Sequence, residues 1–184
     1  LSSAEIMALP MSGTGWSTVQ AEASQPLGAL TLQDNNNNTD VRVLAKALVG
    51  HRTADATLVS EVRGALSSIQ GTELDLRPDG TAPRTLELGR NLTSYIIAAD
   101  IVGFGSTADE TQFRNWLDTL RTTTLSGRTL ISTQEDRPNN WGTMAAAARA
   151  AASVYLGDTA DTQATADILE GWMGNQAAYN GFSW

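Results

Sequence analysis

The sequence predicts an all-α protein built from antiparallel helical hairpins, and three observations predict it. Apolar residues recur at three- and four-residue spacing along most of the chain, the pattern of amphipathic helices. Most periodic runs close on a glycine or stop before a proline, and the connections are short. No stretch alternates apolar and polar residues convincingly enough to be a half-buried strand. About eight helices result, and successive pairs recur every ~40 to 50 residues, a period typical of stacked hairpins. The pairs share no sequence repeat, which disfavours a regular solenoid. An array of hairpins curved into a partial α/α toroid fits better, with a plain helical bundle as the alternative. Residues 1–184 read as one domain.

Ser2 and Glu5 stand at capping-box spacing ahead of Ile6 and Leu9, and GTGWSTVQAEAS gives a second helix that ends before Pro26. In DVRVLAKALVGHRT, Val41, Leu44, Ala45 and Leu48 share a face, with Gly50 as the expected terminator. DATLVSEVRGALSSIQG aligns Leu58, Val62, Ala65, Leu66 and Ile69. ELDLRPDGTAP then breaks the pattern as loop. RTLELGRNLTSYIIAADIVGFG is the longest candidate, ending at Gly103 or Gly105. ADETQFRNWLDTLRTTTL sets Phe113, Trp116, Leu117 and Leu120 at helical spacing. An alanine-rich helix after RPNN stops at Gly157, and DTQATADILEGWMGN completes the series before the tail AYNGFSW.

Composition narrows the function classes. The net charge of −8 leaves no basic footprint for nucleic acid. No apolar run reaches the ~18 residues that would span a membrane. There is no cysteine, hence no disulfide or thiolate chemistry. Lys46 is the sole lysine, so nearly all positive charge is arginine, whose planar fork suits carboxylates. No zinc spacing, P-loop or dinucleotide fingerprint occurs. Glu135 and Asp136 are adjacent, an arrangement that rarely flanks one glycosidic bond. The chain begins at Leu1 without an initiator Met; a cleaved secretory signal is one explanation and trimming another, and we expect a secreted or periplasmic protein.

Three clusters carry more polarity than packing requires. The first, Asp34 through Asp40, includes Asn37 and Asn38; it is either a solvated loop capping the next helix or a sugar-facing loop of amide donors and acceptors. The second places Arg90, Asn91 and Tyr95 in an apolar helix, with Tyr95 one turn beyond Asn91. These three either tie helices together or project into a cleft. The third is TQEDRPNNWG. Pro138 biases Arg137 away from helical geometry, and Asn139 or Asn140 can cap the helix that follows. A helix start needs one amide, yet two are present, followed by Trp141. A helix N-terminus favours an anion, an indole face suits a sugar ring, and Gly142 leaves room for close approach. The structural alternative buries Trp141 and spends the amides on capping.

At these residues the chain resembles the alginate lyase-like polysaccharide lyases of the α/α-toroid class. The resemblance is carried by NNNNTDVRVLAKALV, LGRNLTSYIIAADIVG, GRTLISTQEDRPNNWGTMAAAARAAASVYLGD and GWMGNQAAYNGFSW, of which RPNNWGT is the most specific. It implies β-elimination on a uronic-acid polysaccharide of alginate or glucuronan type, without metal or organic cofactor. In that reaction the C5 proton becomes labile once the neighbouring carboxylate is neutralised. A base, usually His or Tyr, removes the proton, and a Tyr protonates the departing oxygen. By resemblance, Asn91 and Asn140 neutralise the carboxylate, supported by Arg90 and Arg137. Trp141 forms a subsite platform, and Asn139, Asn37 and Asn38 contribute binding. Tyr95 is a candidate for proton transfer.

Two departures stand against that pattern. Relatives carry NNWGTH where this chain has Met144, and a thioether moves no proton. The sole histidine, His51, reads as a cation at a helix C-terminus. Relatives also continue with further helices beyond GFSW, so the chain corresponds to the N-terminal part of the lyase domain. Its uncovered helix faces would then call for a partner chain or self-association completing the ring. The alternative function is a noncatalytic carbohydrate-binding or interaction protein on the same scaffold.

Overall fold

The structure, a computed structural model, describes residues 3–182 and is all-α. Its helices are α1 (Ser3–Ala8), α2 (Gly13–Ala23), α3 (Thr39–Thr53), α4 (Ala56–Ser68), α5 (Thr85–Val102), α6 (Thr107–Leu120), α7 (Leu130–Asp136), α8 (Asn140–Leu156) and α9 (Thr159–Trp172). A 3-10 turn, Thr72–Leu74, follows α4. Among the described residues there is no strand, only an isolated bridge between Leu125 and Arg128. The same residues contain no helix long and apolar enough to cross a membrane.

Local chemistry accounts for most boundaries. Asp55 caps α4 by accepting from the backbone N–H of Thr57 and Leu58, and Asp158 caps α9 through Asp161 N–H. Gly157 leaves α8 with φ 74, the left-handed geometry a helix stop uses. Gly50 does not end α3. The helix continues to Thr53, and Ala54 makes the left-handed turn. Gly50 instead faces α4, where a Cβ would lie 3.1 Å from Leu58 Cβ and 3.3 Å from the Val59 nitrogen. The glycine sets how closely the hairpin packs. The expected cap Ser2 lies outside the described residues. Helix α7 was not expected, because LISTQED lacks a helical apolar stripe; the reciprocal capping box of Thr129 and Ser132 starts it.

The main packing contacts form a row, α2–α3–α5–α8–α9, with α4, α6 and α7 packed beside it. Helix α5 is central and buries Leu88, Leu92, Tyr95, Ile96 and Ala99. Against these pack Val62, Leu66 and Ile69 below, Phe113 and Leu117 from α6, and the small residues Ala145, Ala148 and Ala152 of α8. A Cβ at Gly89 would sit 2.8 to 2.9 Å from Met144 and Ala145 backbone atoms, so α5 and α8 are nearly in backbone contact. Both residues lie about one turn into their helices, so α5 and α8 run in the same direction. Arg63 of α4 donates to Val102 O and Gly103 O at the end of α5. The segment after α4 returns to the start of α5, where Gln33 bridges Glu73 O and Arg84 N. Helix α4 is therefore antiparallel to α5, and α3 is parallel to it. The first turns of α5 and α8 consequently open on one side of the molecule.

A buried charge network locks the other end of α8. Arg149 donates to Asp161 Oδ1 (2.9 and 2.6 Å) and to Gln134 Oε1 (3.2 Å). Arg121, at the end of α6, donates to Asp158 and Asp161 at 2.9 Å each and pairs with Asp118. Ser153 adds a bond to Asp161. Four helices are fastened there by groups that pair with one another, although Arg121 Nε is enclosed with no partner among the described residues.

Candidate functional site

The two adjacent amides at the start of α8 divide their work. Asn139 is the N-cap, its Oδ1 accepting from Trp141 N–H at 2.9 Å. Asn140, the first helical residue, is exposed. Pro138 holds Arg137 extended (φ −119°, ψ 91°), and this swings the Arg137 guanidinium back over the Trp141 indole, 4.6 Å from its centroid. The Arg84 guanidinium lies over the same indole at 5.3 Å. Trp141 is half-buried and serves as a bench for two cations. Gly142 was expected to make room for a ligand, but the protein fills that room itself. A Cβ there would collide with Arg137 O and lie 2.9 Å from Trp172.

Arg84 is held by Glu87, one turn into α5 and 1% exposed. The Glu87 carboxylate accepts from Arg84 Nε (3.2 Å) and a terminal Arg84 nitrogen, from Arg77 Nε (3.0 Å) and from Asn35 Nδ2 (3.3 Å). Beside it, Gln33, Asp34, Asn35, Asn36, Arg77 and Asp79 line a polar cavity of about 150 Å³. Arg84 and Glu87 were missed from the sequence. Their i, i+3 spacing was visible, but the partners Trp141, Arg77 and Asn35 are distant in the chain.

The other site residues fall in different surroundings. Asn91 is buried, and its amide nitrogen donates to Leu32 O (3.3 Å) and Asp34 O (3.1 Å), while Oδ1 is enclosed with no partner among the described residues. It anchors the asparagine loop. Asn37 is spent on that loop too, donating to Ala29 O and accepting from Thr39 N–H. Asn38 is exposed. Arg90 is exposed on α5, where its charge acts on Asp40. Tyr95 has no exposed surface, and burial, reinforced by the Asp40 charge, pushes its phenol far above the usual range. The structure thus brings together Arg137, Asn139, Asn140 and Trp141, and separates them from Tyr95.

Candidates for proton transfer are few. His51 lies in the last turn of α3, 3.0 Å from Ser3 Oγ, far along the row from the start of α8. Met144 stands one turn beyond Asn140 and is exposed. Tyr179, another residue missed from the sequence, packs on Phe182, which in turn packs on Trp172, and donates to Glu135 O at 2.7 Å. Burial, then the charges of Glu135 and Asp136, raise its pKa. No group of three or more His, Asp or Glu suited to a metal occurs among the described residues.

The family model described as alginate lyase matches residues 91–184, just over half of the chain. Neither the curated proteins nor the solved structures contain a match. The matched stretch begins at the asparagine that anchors the loop and holds Arg137 through Trp141 near its centre. It takes in the RPNNWGT and GFSW segments and most of the α5 segment that carried the resemblance, while the asparagine loop at 35–49 and Arg84 lie outside it. A match over more than half of the chain settles the family: this chain belongs to the alginate lyase family.

Proposed function

We propose that the start of α8 receives the carboxylate of a uronic-acid polysaccharide of alginate or glucuronan type, and that the chain is a polysaccharide lyase-like protein working by β-elimination. The observation that carries this reading is Arg137. Its guanidinium has no carboxylate partner among the described residues and lies on Trp141 beside the exposed Asn140. Together they offer donors and positive charge at the positive end of a helix, where a sugar carboxylate needs them for C5 to become acidic. Asn139 fixes the helix start, and Trp141 orients the cations and flanks the sugar. Arg90 and Asn38 extend the contact surface along α5 and the asparagine loop. Asn91 and Asn37 contribute by holding that loop, and Tyr95 serves the core. The chain's acidity opposes an anionic polymer at long range, but a screening length of about 8 Å at physiological salt confines that opposition. A secreted or periplasmic location suits such a substrate.

A second reading, carbohydrate binding without cleavage, is favoured by Met144, because no base stands one turn beyond Asn140. Under the lyase reading, the base and the proton donor come from helices that complete the ring, whether in a partner chain or a second copy. The deciding experiment incubates the protein with alginate, polyguluronate, polymannuronate and glucuronan, following ultraviolet absorbance of the unsaturated product and, separately, binding. New absorbance supports elimination, and binding alone supports the second reading. Neither signal with any polymer overturns the assignment of this site to uronates. Met144→His should raise product formation where the remaining machinery is present; no gain in a preparation that already cleaves would sink the placement of the base.

A further inference from the structure

We infer that Glu87 is the positioning residue of the saccharide face: one buried carboxylate fixes Arg84 on the Trp141 indole and, through Arg77 and Asn35, joins the asparagine loop to the start of α8. The inference rests on the uronate reading for its ligand but not for its geometry. Glu87 is 1% exposed, and a carboxylate so buried persists only when donors surround it. Three side chains supply them from three segments: Asn35 from the loop before α3, Arg77 from the turn after α4, and Arg84 from the N-cap of α5. Of these, Arg84 reaches past Glu87 to the indole, 5.3 Å from the ring centroid. Asn35 and Arg77 also line the polar cavity of about 150 Å³, which Asp34 and Asp79 share. The carboxylate thus sits behind both surfaces and sets their spacing. It touches neither solvent nor, on this reading, the sugar. The Glu87 charge offsets that of Arg84 and Arg77, so its contribution toward an acidic ligand is the direction it gives those side chains, not charge. Arg137 then remains the cation available to the uronate.

The test uses the whole chain and reads Trp141 separately from the other tryptophans, as the emission difference between each protein and its Trp141→Phe counterpart. Glu87→Gln should change the Trp141 contribution as Arg84→Ala does, because both release the guanidinium from the ring. It should also weaken a polymannuronate or polyguluronate oligomer about two- to fivefold, the range expected for one lost cation–π contact. The double variant should bind no more weakly than Arg84→Ala alone. Should Glu87→Gln not fold, Glu87→Asp, which retracts the carboxylate by one methylene, carries the same comparison with a partial change. An unaltered Trp141 contribution in the Glu87 variants beside an altered one in Arg84→Ala overturns the inference, as do additive losses of affinity. If no oligomer binds the unmodified chain, the uronate reading fails, and the emission comparison still decides whether Glu87 positions Arg84.

Discussion

The two ends of α8 carry similar residues and put them to different uses. Toward its C-terminal end, Arg149 is buried and its guanidinium is absorbed by Asp161 and Gln134, with Arg121 and Ser153 completing the set. At its N-terminal end, Arg137 leans on an indole and Asn140 is exposed. Composition does not separate these regions; pairing does. Charges that satisfy one another inside the fold act as fasteners, whereas a cation aligned by an aromatic ring, with no counter-ion among the described residues, keeps its charge open to solvent and, on the proposed reading, to a ligand.

The sharpest way to break this contrast is to remove one member from each end. Arg149→Ala leaves Asp161 with fewer donors in a buried place and should cost about 3–5 kcal/mol in urea unfolding, the usual penalty for orphaning a buried charge. A loss below about 1 kcal/mol would mean that the network is not the fastener described. Arg137 is half-buried on the indole and Asn140 exposed, so Arg137→Ala with Asn140→Ala should cost only about 0.5–1 kcal/mol of stability, the range of one cation–π contact. It should weaken uronate oligomer binding by on the order of 10- to 100-fold, since a hydrogen bond to a charged group contributes about 1.5–3 kcal/mol. Equal stability loss at both ends would erase the distinction.

A third substitution asks whether the N-terminal end is rigid. Gly142→Ala pushes a methyl into Arg137 O and the Trp172 ring, and backbone cannot yield as a flexible side chain does. The expected cost is about 1–3 kcal/mol by thermal or urea unfolding, as for other overpacked sites. Because Arg137 must move to relieve the clash, uronate affinity should fall with it. Full affinity in a destabilised variant would place the carboxylate site away from Arg137.

Much of this was legible in the sequence, and what was not has physical causes. The long helices α3, α5, α6 and α8 announced themselves through apolar period and stop signals, because burial of one face is local information. Helix α7 escaped because its cap, not its apolar pattern, defines it. Gly50 and Gly142 were read as a stop and as open space; both are close-approach positions whose partners lie elsewhere in the chain or across a turn. Asn91 drew attention as a polar residue in an apolar helix, yet its partners are carbonyls of a loop nearly 60 residues earlier. RPNNWG stood out as a candidate site, but which amide caps and which is exposed depends on backbone angles that the letters leave open. Glu87 was hidden for the same reason, since its role exists only once Arg84 meets Trp141.

Acid titration gives a smaller but sign-sensitive form of the same comparison. Asp161 in the fastener is half-enclosed, and burial alone would raise its pKa. The bonds from Arg149, Ser153 and Arg121 outweigh burial and hold it below the ordinary carboxylate value. A carboxyl more acidic in the folded than in the unfolded chain contributes stability above the unfolded value of about 3.9, and that contribution drains away as pH falls through the folded value. Asp40, at the start of α3, runs the other way. Burial raises its pKa against the lowering effects of Ser94, backbone N–H groups and Arg90, so its contribution is present below the unfolded value and lost as pH rises through the folded one. Urea midpoints from pH 3 to 7 should therefore move in opposite senses. Asp161→Asn should lower the neutral-pH midpoint and flatten the acid limb, while Asp40→Asn should raise the neutral-pH midpoint slightly and steepen the acid limb. If both substitutions shift the neutral midpoint downward by similar amounts, Asp40 is held by its hydrogen bond to Ser94 more strongly than burial disfavours it, and the α3 end would join the fastened regions of the fold.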